Sequence, residues 1–352
     1  SEPIAAGNDR RAAIVQSITR KLRSDMERLS AIIERFENLS RNYSSDDVVE
    51  KFRRTGKENT LFVFMEGVIE RLRQLNHSGT AKNYSAALGS FKRFRNNEDI
   101  QMEAIDHILM EDYQAYLASL GVVPNSISFY MRILRAVYNR AVEQELTIDR
   151  NPFRTVFTGV EKTRKRAISI SDIKRIRDLD LSLKPNLEFA RNLFLFLFLC
   201  RGMSFIDAAF LKKSDIQSGI LTYRRHKTNQ VLHIKIIKPI KELVDRYSSN
   251  DSPYLLPIIT RPHCDERRQY ETALRRVNKS LKTIAGMVKL PIPLTTYVSR
   301  HAWATIAKSK NIPVNVISDA LGHDSIATTQ IYLASIDTST IDRANELIIK
   351  DL

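Results

Sequence analysis

The sequence predicts a mainly helical α+β protein of two or three domains, with one small antiparallel β-sheet in its C-terminal part. Three observations predict this. A chain of 352 residues exceeds one ordinary compact core. Apolar residues recur at three-to-four-residue steps through the first 145 or so positions. The period changes to that of strands only near residues 220–237.

Taken in order, Ile14, Ile18, Leu22, Met26, Leu29, Ile33 and Phe36 form the stripe of one long amphipathic helix over 10–39. Ser45 and Asp47 suit the start of a short second helix. Four further helices are expected at 60–75, 80–95, 103–119 and 124–145, separated by turn-formers at His77-Ser78-Gly79, Asn96-Asn97 and Gly121. Asn151-Pro152 stops the last of them, and Phe153 to Ala167 reads as an interdomain linker with the basic cluster Lys162, Arg164, Lys165 and Arg166. Ser169 with Asp172 resembles a capping box that opens a second domain. An apolar helix at 187–200 and a shorter one at 204–212 follow. Ile220 to Tyr223 and Val231 to Ile237 then suggest a hairpin across Lys227-Thr228-Asn229. Helices return to the end, where Ser339 and Asp342 open one with Ile341, Ala344, Leu347 and Ile348 on one face.

Fifty-five Lys and Arg against 40 Asp and Glu give a net charge of +15, a field whose natural partner is nucleic acid or another polyanion. No apolar run reaches the length of a membrane span; the best, Leu193 to Cys200, is flanked by Arg191 and Arg201 and reads as a buried helix. Two cysteines, Cys200 and Cys264, form no disulfide framework and sit in no metal-ligand cluster. A reducing cytoplasm and a site without metal or cofactor are therefore expected. No leader follows Ser1, and a preceding segment stays open. Two helices of the first domain interleave basic and aromatic residues: Lys82, Tyr84, Lys92, Arg93 and Arg95 in one, Tyr130, Arg132, Arg135, Tyr138 and Arg140 in the other. A phosphate-tracking surface has this composition, and so has an ordinary solvated helix face.

The chemistry is concentrated near the C-terminus. Thr296-Tyr297-Val298-Ser299-Arg300-His301 precedes Leu321-Gly322-His323, and Tyr332 stands nine residues beyond that histidine. These segments resemble the second conserved box of the tyrosine recombinase (phage integrase) family, H-x-x-R-H, then L-G-H, then tyrosine. With the helical module, the linker and the hairpin lysine in the expected order, the resemblance covers residue 60 to the C-terminus. It implies DNA strand cleavage and rejoining without metal or ATP, through a 3′-phosphotyrosyl intermediate. Tyr332 would be the nucleophile, Arg300 the bidentate phosphate ligand, His323 a phosphate contact or proton carrier, and Lys227 the general acid for the departing 5′ oxygen.

Two departures from the family pattern stand out. The first box usually reads T-G-L-R-x-S-E-L; here Arg201-Gly202-Met203-Ser204-Phe205-Ile206-Asp207, with Leu211 and Asp215 behind it, fixes Asp207 as the acidic anchor and puts Ser204 in the place of the first catalytic arginine. Losing a charged transition-state contact costs about 3–4 kcal/mol, so another cation should compensate. Arg201 lies about a helical turn earlier, and Arg225 precedes Lys227 by two. Arg225 is the preferred replacement, with helix capping by Arg201 and a backbone contact by Arg225 as the plain alternatives. The second departure is Tyr297 for the first histidine, a hydroxyl that positions phosphate but shuttles protons poorly at neutral pH. His301 fits a supporting position and Trp303 a core position. The serine resembles that of integrases of Bacteroides-type conjugative transposons.

Residues 1–57 are thus expected to be an N-terminal helical extension without a match to the three-stranded arm-site domain of many integrases. Residues 58–150 would be a helical core-binding domain, 151–167 a basic linker and 168–352 the catalytic domain. The resemblance implies a clamp around double-stranded recombination sites, a homotetramer on synapsed DNA with exchange of the C-terminal helix, and room for an accessory DNA-bending or directionality protein. It places the protein in the bacterial cytoplasm, at the nucleoid and away from membranes. A catalytically silent DNA-binding protein and a type IB topoisomerase are the competing readings.

Overall fold

The computed structural model describes residues 3–38, 42–49, 52, 60–161, 167–247, 252–326 and 329–330. The chain divides into two compact units, Ser1–Thr163 and Arg164–Leu352.

The first unit is helical: α1 (Pro3–Asn38), α2 (Leu61–Gln74), α3 (Ser78–Phe94), α4 (His107–Ser119) and α5 (Pro124–Glu143). Along α1, Ile18, Leu22 and Met26 are exposed, and Ile32 is buried towards the C-terminal end. Pairs of Arg35 with Glu145 and of Glu27 with Arg150 fasten that end to the loop after α5. Helix α4 begins four residues later than the sequence suggests. The carboxylate of Asp106 accepts from the Leu109 N–H at 2.8 Å and sets the start there, and Met102–Ala104 closes into a single 3-10 turn. Pro124 occupies the first turn of α5, where its missing N–H costs nothing. The core is aromatic, with Phe91 edge-on to Tyr113 at 4.9 Å and the Tyr113 hydroxyl donating to Ser90. The stretch expected to be linker packs on this unit as far as 161. Phe153 and Val156 are buried in its core, and Asn125 bonds the backbone of Glu161 through both ends of its amide.

The second unit opens on α6 (Ile170–Arg177), whose capping box of Ser169 and Asp172 is formed as expected. Helix α7 (Pro185–Leu199) is its axis: Phe194, Phe196 and Leu197 are buried, and α6, α9, α10 and α11 all pack on it. Left-handed backbone at Arg201 (φ 58°) and Gly202 (φ 68°) then reverses the chain into α8 (Phe205–Phe210). The sheet is an antiparallel meander, β1 (Ile216–Gln217), β2 (Ile220–Arg224) and β3 (Val231–Lys235), in the order β1-β2-β3. Leu221 pairs with Ile234 and Tyr223 with Leu232, which turns Leu221, Tyr223 and Ile234 into the core. Strand β1, two residues long, has no alternation that a sequence could display. β3 ends before Ile237, because the Ile237 carbonyl already receives the first bonds of α9 (Lys238–Tyr247). The basic helix α10 (Glu266–Met287), α11 (Thr296–Ser309) and α12 (Val314–Leu321) complete the unit. Trp303 packs against the Ala304, Ala307, Ile317 and Leu321 cluster, in line with a core role. Among the described residues no helix is long and apolar enough to cross a membrane.

Candidate active site

Three elements of the second unit meet at the turn after α12. Gly322 adopts φ 64° there, ending the helix in the left-handed cap that suits glycine. This sends His323 back towards α11 and leaves the Gly322 carbonyl as a shared acceptor. Arg225 Nη1 donates to it, and Thr228 Oγ1 donates to it at 3.2 Å. From the same hairpin, Gln230 Nε2 donates to the His323 carbonyl at 3.4 Å and to Asp324 Oδ1 at 3.2 Å.

Arg300 comes from the first turns of α11 and is 3% exposed. Thr295 is the N-cap, and the Thr296 N–H donates to Asn278 Oδ1 at 2.9 Å. The guanidinium donates to the carbonyls of Gly202 at 2.9 Å and Leu321 at 2.6 Å, which bridges the α7–α8 turn to the α12 turn. Gly202 is required here twice over: its φ is positive, and a Cβ on it would lie 2.8 Å from the Arg300 Cα. Arg225 is 6% exposed. Strand β2 ends one residue before it, so it does not share a strand face with Lys227. It turns inward while Lys227 stays exposed at the tip.

The buried cations repel. Burial and the neighbouring Arg225 push the Arg300 guanidinium down to about 10. Both arginines keep a buried Nε without a hydrogen-bond partner, and among the described residues neither forms an ion pair with a carboxylate. Each Nε is thus a buried donor whose hydrogen-bonding capacity the protein leaves unused.

His323, 8% exposed, lies against this pair, with Arg300 Nη2 at 3.1 Å from its Nε2. A guanidinium has donors alone, so Nε2 accepts and the ring proton sits on Nδ1, donating to the buried Thr329 Oγ1 at 2.7 Å. Burial, then Arg300, Arg225 and Lys227, hold the imidazole down to about 4. Between pH 4 and the ordinary 6.5 the unfolded chain therefore binds a proton that the folded chain does not. This contribution to stability is fully present above about pH 6.5 and declines as the pH falls towards 4. Urea unfolding at pH 7 and pH 4.5 is expected to show a smaller pH effect for His323→Gln than for the parent chain. Equal pH effects in the two would contradict a buried neutral imidazole.

The remaining site residues are placed as follows. Tyr297, half exposed, lies edge-on to the His301 ring at 4.8 Å; burial raises its phenol, while Arg300 and Arg225 pull it the other way. Ser204 caps α8 and donates to Asp207 Oδ2 at 2.6 Å. Arg201 belongs to the turn that carries Gly202, and among the described residues it makes none of the hydrogen bonds that join the site. Tyr332 and the C-terminal helix lie outside the described residues. Sequence alone gives no sign of Thr329, Thr228 and Gln230: nothing in an isolated Thr or Gln announces a partner, whether six positions away, as for Thr329, or more than ninety, as for Thr228 and Gln230.

In the first unit, Arg132 and Arg135 are exposed on α5, where Arg135 reaches Thr158 Oγ1, and Lys82 and Arg93 are exposed on α3. Lys92 pairs with Glu66 at 2.6 Å and covers the Phe62 ring, and Arg140 lies over the Tyr84 ring at 5.9 Å. Arg95 is half-buried with its Nε unpaired. Tyr84 and Tyr138 face the core, so they do not line a phosphate-tracking surface; the Tyr138 hydroxyl is bonded to the Ile148 carbonyl. Lys162, Arg164, Lys165 and Arg166 lie outside the described residues.

Comparison with known proteins decides the family. The profile of the phage integrase SAM-like domain matches residues 60–161, and that of the phage integrase family matches residues 171–338. The chain belongs to the phage integrase family of tyrosine recombinases. Tyrosine recombinase XerA of Pyrococcus furiosus is 27% identical over 244 residues, which cover 67% of this chain and 79% of that protein. The lambda integrase dimer bound to a COC' core site superposes with a TM-score of 0.60 at 18% identity, covering 92% of this chain and 87% of that one. The lambda integrase tetramer bound to a Holliday junction gives 0.58 at 17% identity, over 83% and 85%. At such identities the solved structures establish a common fold, mainly helical with a small antiparallel sheet, as the sequence predicted.

Proposed function

We propose that this integrase-family chain is a site-specific recombinase that cleaves and rejoins DNA strands, with Tyr332 attacking the scissile phosphate to give a 3′-phosphotyrosyl link and a free 5′-hydroxyl. The observation that carries this reading is the pair of buried guanidinium groups, Arg225 and Arg300, gathered with His323 around the Gly322 turn beside the exposed Lys227. Two guanidinium groups would bring the charge and the N–H donors that the two non-bridging oxygens of a phosphodiester require. Arg225 would supply the charge that Ser204 lacks, Lys227 would protonate the departing 5′ oxygen, and Tyr297 would position the phosphate. A phosphate between the arginines would also offset their repulsion and raise the histidine towards its ordinary range, giving it a proton to hold.

The exposed basic residues Lys82, Arg93, Arg132 and Arg135, with the cluster at 162–166, would follow the DNA backbone. We take 60–161 as the core-binding domain, the basic cluster at 162–166 as the connection and 168–352 as the catalytic domain. Lambda integrase crystallised as a tetramer on a Holliday junction. The same assembly on synapsed sites, with exchange of the helix after Tyr332 and with help from an accessory DNA-bending protein, is our reading for this chain.

A nicked suicide duplex carrying the element's own junction tests it. Release of the short strand should trap a protein–DNA adduct that resists boiling in detergent, and Tyr332→Phe should yield none. DNA retention without any adduct would favour a silent binding protein. Relaxation of supercoiled plasmid without site preference would favour a topoisomerase.

A further inference from the structure

The hairpin tip that presents Lys227 is fastened on two sides. On one side Arg225 and Thr228 reach the Gly322 carbonyl. On the other, His226 reaches Asp207 at the start of α8: the His226 N–H donates to Oδ1 at 2.9 Å, and the ring Nδ1 lies 3.2 Å from the same oxygen. The Asp207 side chain is fully buried, whereas that of His226 is 40% exposed. Burial alone would push the carboxyl up, but the bonds from His226 and Ser204 outweigh it and hold it below the ordinary range. The carboxylate is therefore ionised and only accepts, so the imidazole carries its proton on Nδ1 and donates it. The Phe210 ring packs against the imidazole at 5.1 Å.

A buried carboxylate needs a cation or several donors. Ser204, in the place where the family carries arginine, supplies a hydroxyl bond at 2.6 Å and no charge. His226 is the titratable group that meets the same carboxylate from across the turn.

We propose that His226 is a positioning residue: through Asp207, whose other carboxylate oxygen is held by Ser204, it ties the β2–β3 tip to α8 and fixes where the Lys227 ammonium stands relative to the scissile phosphate. The inference rests on Lys227 acting as the general acid. His226 touches neither the phosphate nor the leaving oxygen, and its effect passes through its neighbour.

The test separates that role from simple support of the fold. In a substrate whose 5′-bridging oxygen is replaced by sulfur, the phenol oxygen forms its bond to phosphorus while the P–S bond breaks. The thiolate then leaves without needing a proton, so loss of a general acid no longer matters. Full-length His226→Ala should cleave the ordinary nicked duplex about tenfold or more slowly, and cleave the phosphorothiolate duplex within about twofold of the parent rate, as Lys227→Ala should. His226→Asn, which keeps a donor towards Asp207, should recover most of the loss. Equal slowing of His226→Ala on both duplexes, or no slowing on either, overturns the proposal. If sulfur restores Lys227→Ala but not His226→Ala, the positioning role alone fails. If sulfur does not restore Lys227→Ala, the general-acid reading fails and this inference with it.

Discussion

Arg225→Ala is expected to slow strand cleavage by roughly 10²- to 10³-fold, the scale of a deleted oxyanion donor, while DNA affinity stays within about threefold because one buried contact is a small part of a phosphate-dominated interface. The reasoning is local. Arg225 is buried at the turn that holds His323 and Arg300, its Nη1 is anchored on the Gly322 carbonyl, and its Nε has no partner. Ser204 points its hydroxyl at Asp207 and contributes no positive charge. Ser204→Ala should therefore lose about 1 kcal/mol of stability as a helix cap and change cleavage little. Single-turnover rates on a nicked duplex, set beside titrations of intact DNA, check both statements. An Arg225→Ala enzyme cutting at the parent rate would remove it as the replacement for the missing arginine.

Arg300→Ala should be the more damaging change, with cleavage lost beyond about 10³-fold. Stability should fall as well, by about 1–3 kcal/mol, since the Gly202 and Leu321 carbonyls would lose a buried donor. Arg300→Lys separates the two effects. The ammonium keeps the charge but cannot span both carbonyls and present a second face to phosphate, so thermal stability should recover further than the cleavage rate. Parent-like cleavage by Arg300→Lys would show that charge alone suffices at this position.

Much of this architecture was legible from spacing. The helical periodicity located α2, α3, α5 and α7 to within a few residues, because each buries one continuous stripe. It misplaced the start of α4, where Met102 keeps the apolar rhythm although Asp106 sets the first turn. The motif intervals singled out Arg300 and His323, which the fold brings together at the α12 turn, and Lys227, which it leaves exposed at the hairpin tip. Spacing says nothing about side chains that meet only after folding. Thr329 under His323, and His226 on Asp207 19 positions earlier, could not be read. Aromatic residues misled in the first unit for a related reason: Tyr84 and Tyr138 alternate with basic residues in sequence, yet the helical turn carries them to the inner face.

The Gly322 peptide shows how little of this chemistry is a matter of charge inventory. Its carbonyl faces the hairpin only while the backbone holds φ at 64°, and a Cβ there would press within 3.1 to 3.2 Å of Leu232 Cδ1, Arg225 Cδ and Gln230 Oε1. A side chain at this position would strain the left-handed backbone and crowd the hairpin residues that meet the carbonyl, with every ionisable group of the site still present in the chain. One uncharged carbonyl thus holds both Arg225 and Thr228 at this turn.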